Sequence, residues 1–106
     1  MSEPAFGCVE EGLRFATLRA AVLAADTANA RTPGFQPVDV EPSPSFSADG
    51  VRFAARLHET GARGTVGVLQ FSMAAQGRNA VRFHALADQE RAMLHELRLV
   101  AQEARR

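Results

Sequence analysis

The stretch Leu18-Arg19-Ala20-Ala21-Val22-Leu23-Ala24-Ala25-Asp26-Thr27-Ala28-Asn29-Ala30-Arg31-Thr32-Pro33-Gly34-Phe35 decides the fold. Together with the residues before it, it places Val9, Leu13, Ala16, Ala20 and Leu23 at steps of four and three, the spacing of one helical face. A second stripe, Phe15, Leu18, Val22 and Ala25, lies beside the first, so the apolar surface is wider than a two-stranded seam needs and calls for more than one neighbour. The reading predicts a helix over residues 9–30. It must stop near Asn29 to Arg31, because Pro33 has no amide hydrogen and disfavours helical geometry at Thr32. Thr32-Pro33-Gly34-Phe35 then reads as a type II turn, with Gly34 at the position that needs a positive φ.

Working outward, Pro37, Pro42 and Pro44 fall in a run with little periodicity, so residues 31–50 read as the turn followed by an extended connector. Val51, Phe53, Ala55 and Leu57 alternate with Arg52, Ala54, Arg56 and His58, the period of a half-buried strand. Gly61 to Gly64 reads as a turn and Thr65 to Phe71 as a returning strand, which predicts a β-hairpin over residues 51–71. A C-terminal helix is expected over residues 73–105, with Phe83, Leu86, Met93, Leu97, Val100 and Ala104 as its apolar stripe and Glu90 as one interruption. Each terminal helix would be roughly 30 to 40 Å long, comparable with the whole diameter of a compact chain of this size, whose radius of gyration is about 13 Å, so an elongated hairpin fits better than a sphere. The fold expected is mostly α: long N- and C-terminal amphipathic helices packed as an elongated hairpin or coiled coil, with a small β-hairpin and a connector between them.

The 106 residues suit a single domain. Twelve basic residues, all Arg, balance twelve acidic ones and the charges are scattered, which argues against nucleic acid or an anionic membrane surface as a partner. Cys8 is the only cysteine, so neither an internal disulfide nor a cysteine-based zinc cluster can form. Met1 to Phe6 contains no basic n-region, and no window approaches a membrane span, so a cleavable signal peptide is not expected.

Residues Ala28, Asn29, Thr32, Pro33, Gly34 and Phe35 match the N-terminal signature of flagellar rod and hook proteins, in which an apolar helix ends in Asn, any residue, Ala, Asn, two further residues, Thr-Pro-Gly and an aromatic. Asp26 stands where that signature has its first Asn. Near the other end, Asn79-Ala80-Val81-Arg82-Phe83-His84-Ala85-Leu86 is similar to the segment opening the C-terminal helix of proximal-rod members, and Met73 falls where they carry Met. Ser72 replaces the acidic residue that usually precedes that Met, and Gly67-Val68-Leu69-Gln70-Phe71 replaces a polar run. The chain thus resembles a short, divergent member of the flagellar basal-body rod family. The resemblance implies a structural subunit of the periplasmic rod, exported unfolded through the flagellar type III apparatus. Its implied partners are copies of itself and other rod or membrane-ring proteins, with no cofactor, small-molecule substrate or nucleic acid. The residues expected to matter for assembly are Leu13, Ala20, Leu23, Asn29, Pro33, Gly34 and Phe35 at one end and Phe83, Leu86, Met93, Leu97 and Val100 at the other.

Other chemistries compete less well. His84, Asp88 and His95 share a helical face and are ligand types for a metal, but three ligands spread over three turns do not converge on one ion, so a solvated face is expected. Cys8 has no sequence partner for nucleophilic work, and no residue is assigned a catalytic role. Asn29 fits either a subunit contact or a helix-ending residue tolerant of left-handed geometry. Phe35 fits either an anchor for a neighbour or a cap on its own core. Arg52 and Arg56 share a strand face and suit either solvent or acidic groups of an adjacent subunit. The alternative to the rod reading is a soluble helical-hairpin adaptor or dimerisation module using the same stripes.

Overall fold

A computed structural model of the chain describes residues 3–106, with side chains from residue 5 onward. Helix α1 spans Glu3–Ala28, strand β1 Val38–Ser47, strand β2 Gly50–Glu59 and helix α2 Gly64–Ala104. The protein is therefore mostly helical, with one two-stranded antiparallel sheet. It is elongated, 65 × 26 × 14 Å with a radius of gyration of 17.9 Å, well above the roughly 13 Å of a compact chain this long.

The two stripes of α1 meet different neighbours. Val9, Ala16 and Leu23 are buried, and the α1–α2 contacts run from Thr27 against Ser72, through Ala16 against Asn79, to Gly12 against Leu86. Numbers rise on one helix as they fall on the other, so the helices run antiparallel. On the second stripe, Phe15 packs edge-on against Phe53 of β2, ring centroids 6.5 Å apart. The hairpin lies against α1 and makes no comparable contact with α2. The second neighbour that the wide apolar surface required is thus supplied, in part, by the chain itself.

The turn after α1 is as expected. Gly34 has φ 75 and the Phe35 N–H donates to the Thr32 carbonyl at 3.1 Å, the closure of a type II turn. Asn29 does not use left-handed geometry, because every positive φ among the described residues belongs to a glycine. It ends α1 with its side chain instead: Nδ2 donates to the Ala25 carbonyl at 2.8 Å and Oδ1 accepts the Thr32 hydroxyl at 3.4 Å.

The sheet differs from expectation. The run read as a connector contains β1, which pairs with β2 in a register that sets Pro42 opposite Ala55 and Pro44 opposite Phe53. Prolines two residues apart turn their nitrogens to the same side, and a strand with only one partner has an open side where no N–H is needed. Three prolines masked the strand signal without preventing the strand. The turn at Ala48 and Asp49 is followed by Gly50 with φ 116, a conformation that glycine adopts at no steric cost.

Residues 65–71, expected as the returning strand, form the first turns of α2, which begins nine residues before the predicted start at residue 73. Val68, Ser72, Ala75 and Asn79 are its buried residues, at steps of four, three and four. Burying that face against α1 overrides the short alternation of Val66 and Val68 and the helix cost of Gly67 and Gly77, about 1 kcal/mol each. α1 likewise starts at Glu3 rather than residue 9. Because Ser72, Ala75 and Asn79 are not large apolar residues, the face that α2 gives the core is nearly invisible to a hydrophobic pattern.

Candidate assembly surface

Polar contacts between the elements hold the frame of the site. At the end of α1 nearest the turn, the Thr27 hydroxyl bonds the Ser72 hydroxyl and accepts from Gln76 Nε2, both at 2.9 Å. Asn79 Nδ2 donates to the Ala16 carbonyl at 2.8 Å. Along the hairpin, Arg19 makes a two-pronged bond to Asp39, at 3.0 and 2.8 Å.

Further along, Glu11 accepts the Phe53 N–H at 3.2 Å while Arg14 Nη2, bonded to Glu11 at 2.7 Å, donates to the Phe53 carbonyl at 3.2 Å. Phe53 lies opposite Pro44 in a pair that exchanges no ladder hydrogen bonds, so its backbone N–H and C=O point away from β1 and are free to be taken by α1. The Arg14 guanidinium and then the Phe53 N–H hold the Glu11 carboxyl below its usual range.

Two buried acids sit where β1 meets α1. Asp26 accepts the Val38 N–H at 3.2 Å through Oδ1, while its buried Oδ2 has no hydrogen-bond partner. Burial pushes its carboxyl up, the nearby Asp39 charge adds to this, and the Val38 N–H opposes it. Asp39 goes the other way: burial disfavours its charge, but Arg19 and the Val40 N–H, donated at 2.7 Å, outweigh burial and hold it low. Asp26 is the position where the signature has Asn. A protonated carboxyl offers the same pairing of one acceptor and one donor as an amide.

The residues expected to matter for assembly separate into two groups. Leu23 is fully buried in the chain's own core, Leu13, Leu86 and Met93 are half-buried, and Leu86 packs over Gly12. Asn29 and Phe35 are half-buried at the turn, with Pro33 and Gly34 exposed beside them. Ala20, Phe83, Leu97 and Val100 are exposed, Val100 at 63%. Every residue from Leu94 to Arg106 is exposed, Leu94 and Leu99 included.

His84, Asp88 and His95 are exposed, Asp88 pairs with Arg91 at 3.0 Å, and among the described residues no three acidic, His or Cys side chains gather to hold a metal. Cys8 is a half-buried free thiol on α1. Arg52 lies 3.9 Å from Glu11 within the chain, and Arg56 faces Glu41 across the ladder.

Sequence reasoning missed two surfaces. The first is a groove of about 360 Å³ between the helices, lined by Ala16, Ala20 and Ala24 on α1 and by Asn79, Ala80 and Phe83 on α2, together with Thr17, Gln76 and His84. The alanine repeat at steps of four was its signal, but alanine is equally common on any helix surface. The second is on the hairpin, where Phe46 near the tip and Leu57 near the base are 77% and 66% exposed at the two ends of the ladder face that carries Phe53. Comparison with protein-family models, curated proteins and solved structures finds no match.

Proposed function

We propose that the chain is a non-enzymatic structural subunit of the bacterial flagellar basal-body rod, working in the periplasmic drive shaft by self-assembly through its two terminal helices. In this reading α1 and α2 act as an elongated helical hairpin with coiled-coil character, exported unfolded through the flagellar type III apparatus. Its neighbours are copies of itself and other rod or membrane-ring proteins. The observation that carries the reading is the apolar, exposed end of α2, where Leu94, Leu97, Leu99 and Val100 face solvent in an isolated chain. Leu97 and Val100 continue the line of Met93 at helical spacing, and apolar side chains aligned and exposed on one helix face are the kind of surface that a neighbour covers.

Two further observations support it. Thr27, inside the first of the two segments that resemble the family, bonds Ser72 and Gln76, which precede the second, beside the turn at Thr32 to Phe35. The buried apolar set among the described residues is Val9, Phe15, Ala16, Leu23, Ala30, Val40, Val68 and Ala75, three of them alanines. So small a core suits a chain that is threaded unfolded and gains stability from its neighbours.

The test is circular dichroism of the purified chain over a wide concentration range with sedimentation on the same samples, joined to motility of a deletion strain with and without the gene restored. Helix content that rises with assembly size, and motility lost and then restored, are expected. A fully helical, concentration-independent monomer or closed dimer with unaffected motility overturns the reading in favour of a helical-hairpin adaptor.

A further inference from the structure

Two buried carboxyls stand where α1 meets β1, and one arginine serves them. Asp26 is 1% exposed and Asp39 4%. Both prongs of the Arg19 guanidinium go to Asp39, which takes the Val40 N–H as well. Asp26 receives the Val38 N–H on one oxygen and nothing on the other. With one cation and two acids, the cluster is neutral when it holds a single proton. The contacts place that proton on Asp26, because a buried carboxylate needs a cation or several donors, whereas a neutral carboxyl is satisfied with fewer.

The surrounding elements do not supply a second cation. On β1 the neighbouring charge is Asp39, and on β2 His58 stands opposite Asp39 and Glu59 opposite Val38. α2 packs against this end of α1 through Ser72 and Gln76 and has no titratable side chain from Gly64 to Gly77. In the turn, Arg31 is exposed. Among the described residues no Arg or His comes within ion-pairing distance of Asp26. The Asp26 bond also has a structural task. Among the described residues, it is the one hydrogen bond that ties residues 33–38 to α1.

We propose that Asp26 is a proton-operated latch, which holds the turn and the start of β1 against α1 while it is protonated and lets residues 33–38 lift away when it ionises. The Val38 N–H would bond a carboxylate more strongly, but a single donor does not replace the water around a buried charge, and the Asp39 charge repels it. The segment bonded to Asp26 therefore opens to admit water. Arg19 and Asp39 keep the following residues of β1 in place, so the movement is local. The docked Asp26 carboxyl lies above its ordinary value of 3.8, from burial first and the Asp39 charge in addition. Opening is thus rarest at and below that ordinary value, grows by up to about ten-fold per pH unit above it, and levels off past the docked value. The latch does not depend on how copies of the chain assemble.

The test is amide hydrogen exchange of the full chain by NMR from about pH 4 to pH 7, each rate divided by the intrinsic rate of that amide at the same pH. Val38 should be at least ten-fold less protected than Leu23, with little response to low urea, which marks local rather than global opening. Its protection should fall by up to about ten-fold per pH unit and then level. Asp26→Asn holds the Val38 N–H with a side chain that does not titrate, and should remove this local pH dependence. His58→Gln, at an exposed position, should keep it. Protection at Val38 that is flat in the unaltered chain overturns the proposal. So does protection equal to that of Leu23 with the same urea dependence, since Val38 would then exchange only by unfolding of the whole chain. A fall that survives Asp26→Asn, or that disappears in His58→Gln, overturns it by assigning the titration to another group. The comparison of Val38 with Leu23 needs no variant and decides the proposal even where a substitution unfolds the chain.

Discussion

Asn79 reaches from α2 to donate its side-chain amide to the backbone carbonyl of Ala16 on α1 at 2.8 Å, with both residues buried. A sideways slip of one helix against the other would strand that amide in an apolar seam, so the bond selects one register out of several that alanine and valine would accept equally. The helix pair is held in place by specificity at Asn79, Thr27 and Ser72 as much as by apolar area. Asn79→Leu is expected to keep helix content and lose a single sharp unfolding transition. Asn79→Ala should lower stability by about 1 to 3 kcal/mol, read as a drop in the thermal midpoint.

The Arg19–Asp39 pair pins the start of β1 to α1, with side chains only 15% and 6% exposed. Arg19→Ala leaves the Asp39 charge buried without its partner and should cost about 3 kcal/mol. Asp39→Ala leaves a longer, more flexible partner that can swing to water and should cost less. A double-mutant cycle in urea measures the coupling, and additive losses would show that the two ends do not depend on each other.

Asp26 and Asp39 give opposite pH dependence. The folded Asp26 carboxyl lies above its ordinary value of 3.8, from burial first and the Asp39 charge second, so its contribution to stability is present at low pH and lost as pH rises through the raised value. Asp39 lies below 3.8, because Arg19 and the Val40 N–H outweigh burial, so its contribution is present above 3.8 and lost as pH falls through the lowered value. Asp26→Asn should therefore stabilise the chain near neutrality by about 1 kcal/mol, with a smaller gain in acid. Equal effects at both pH values would show that Asp26 is not the titrating group.

Glycine substitutions should divide by backbone angle. Gly77 lies inside α2 with nothing within 4 Å of an added Cβ, and Gly77→Ala should raise stability by about 1 kcal/mol. Gly34 also has open space around it but holds φ 75, so Gly34→Ala should lower stability by about 1 kcal/mol. Thermal unfolding of both variants separates helix propensity from turn strain.

Leu23 and Leu97 lie on the long apolar stripes of α1 and α2 but have different surroundings, 0% and 45% exposed. Leu23→Ala should cost about 2 to 5 kcal/mol in the isolated chain. Leu97→Asp should leave the dilute chain as stable as before and abolish assembly, as seen by sedimentation. Assembly that survives Leu97→Asp would remove the end of α2 from the interface.

Much of the frame was legible in the chain itself. The spacing of Val9, Leu13, Ala16, Ala20 and Leu23 determined α1, Thr32-Pro33-Gly34-Phe35 determined the turn, and the alternation from Val51 to Leu57 determined β2, because each signal is local and set by covalent geometry. The sequence also determined that two long helices would make an elongated molecule. Only the tertiary structure decided the partner of β2. Both Val38–Ser47 and Thr65–Phe71 could have paired with it, and the choice fell on the proline-bearing segment because Val68, Ser72 and Asn79 are buried against α1 only when residues 64–79 are helical. Likewise the stripes marked Leu23 and Leu97 as equivalent, and only the packing of the described helices buried one and left the other in solvent. Burial of small and polar residues is a property of where another element comes to rest, which no periodicity along a single chain contains.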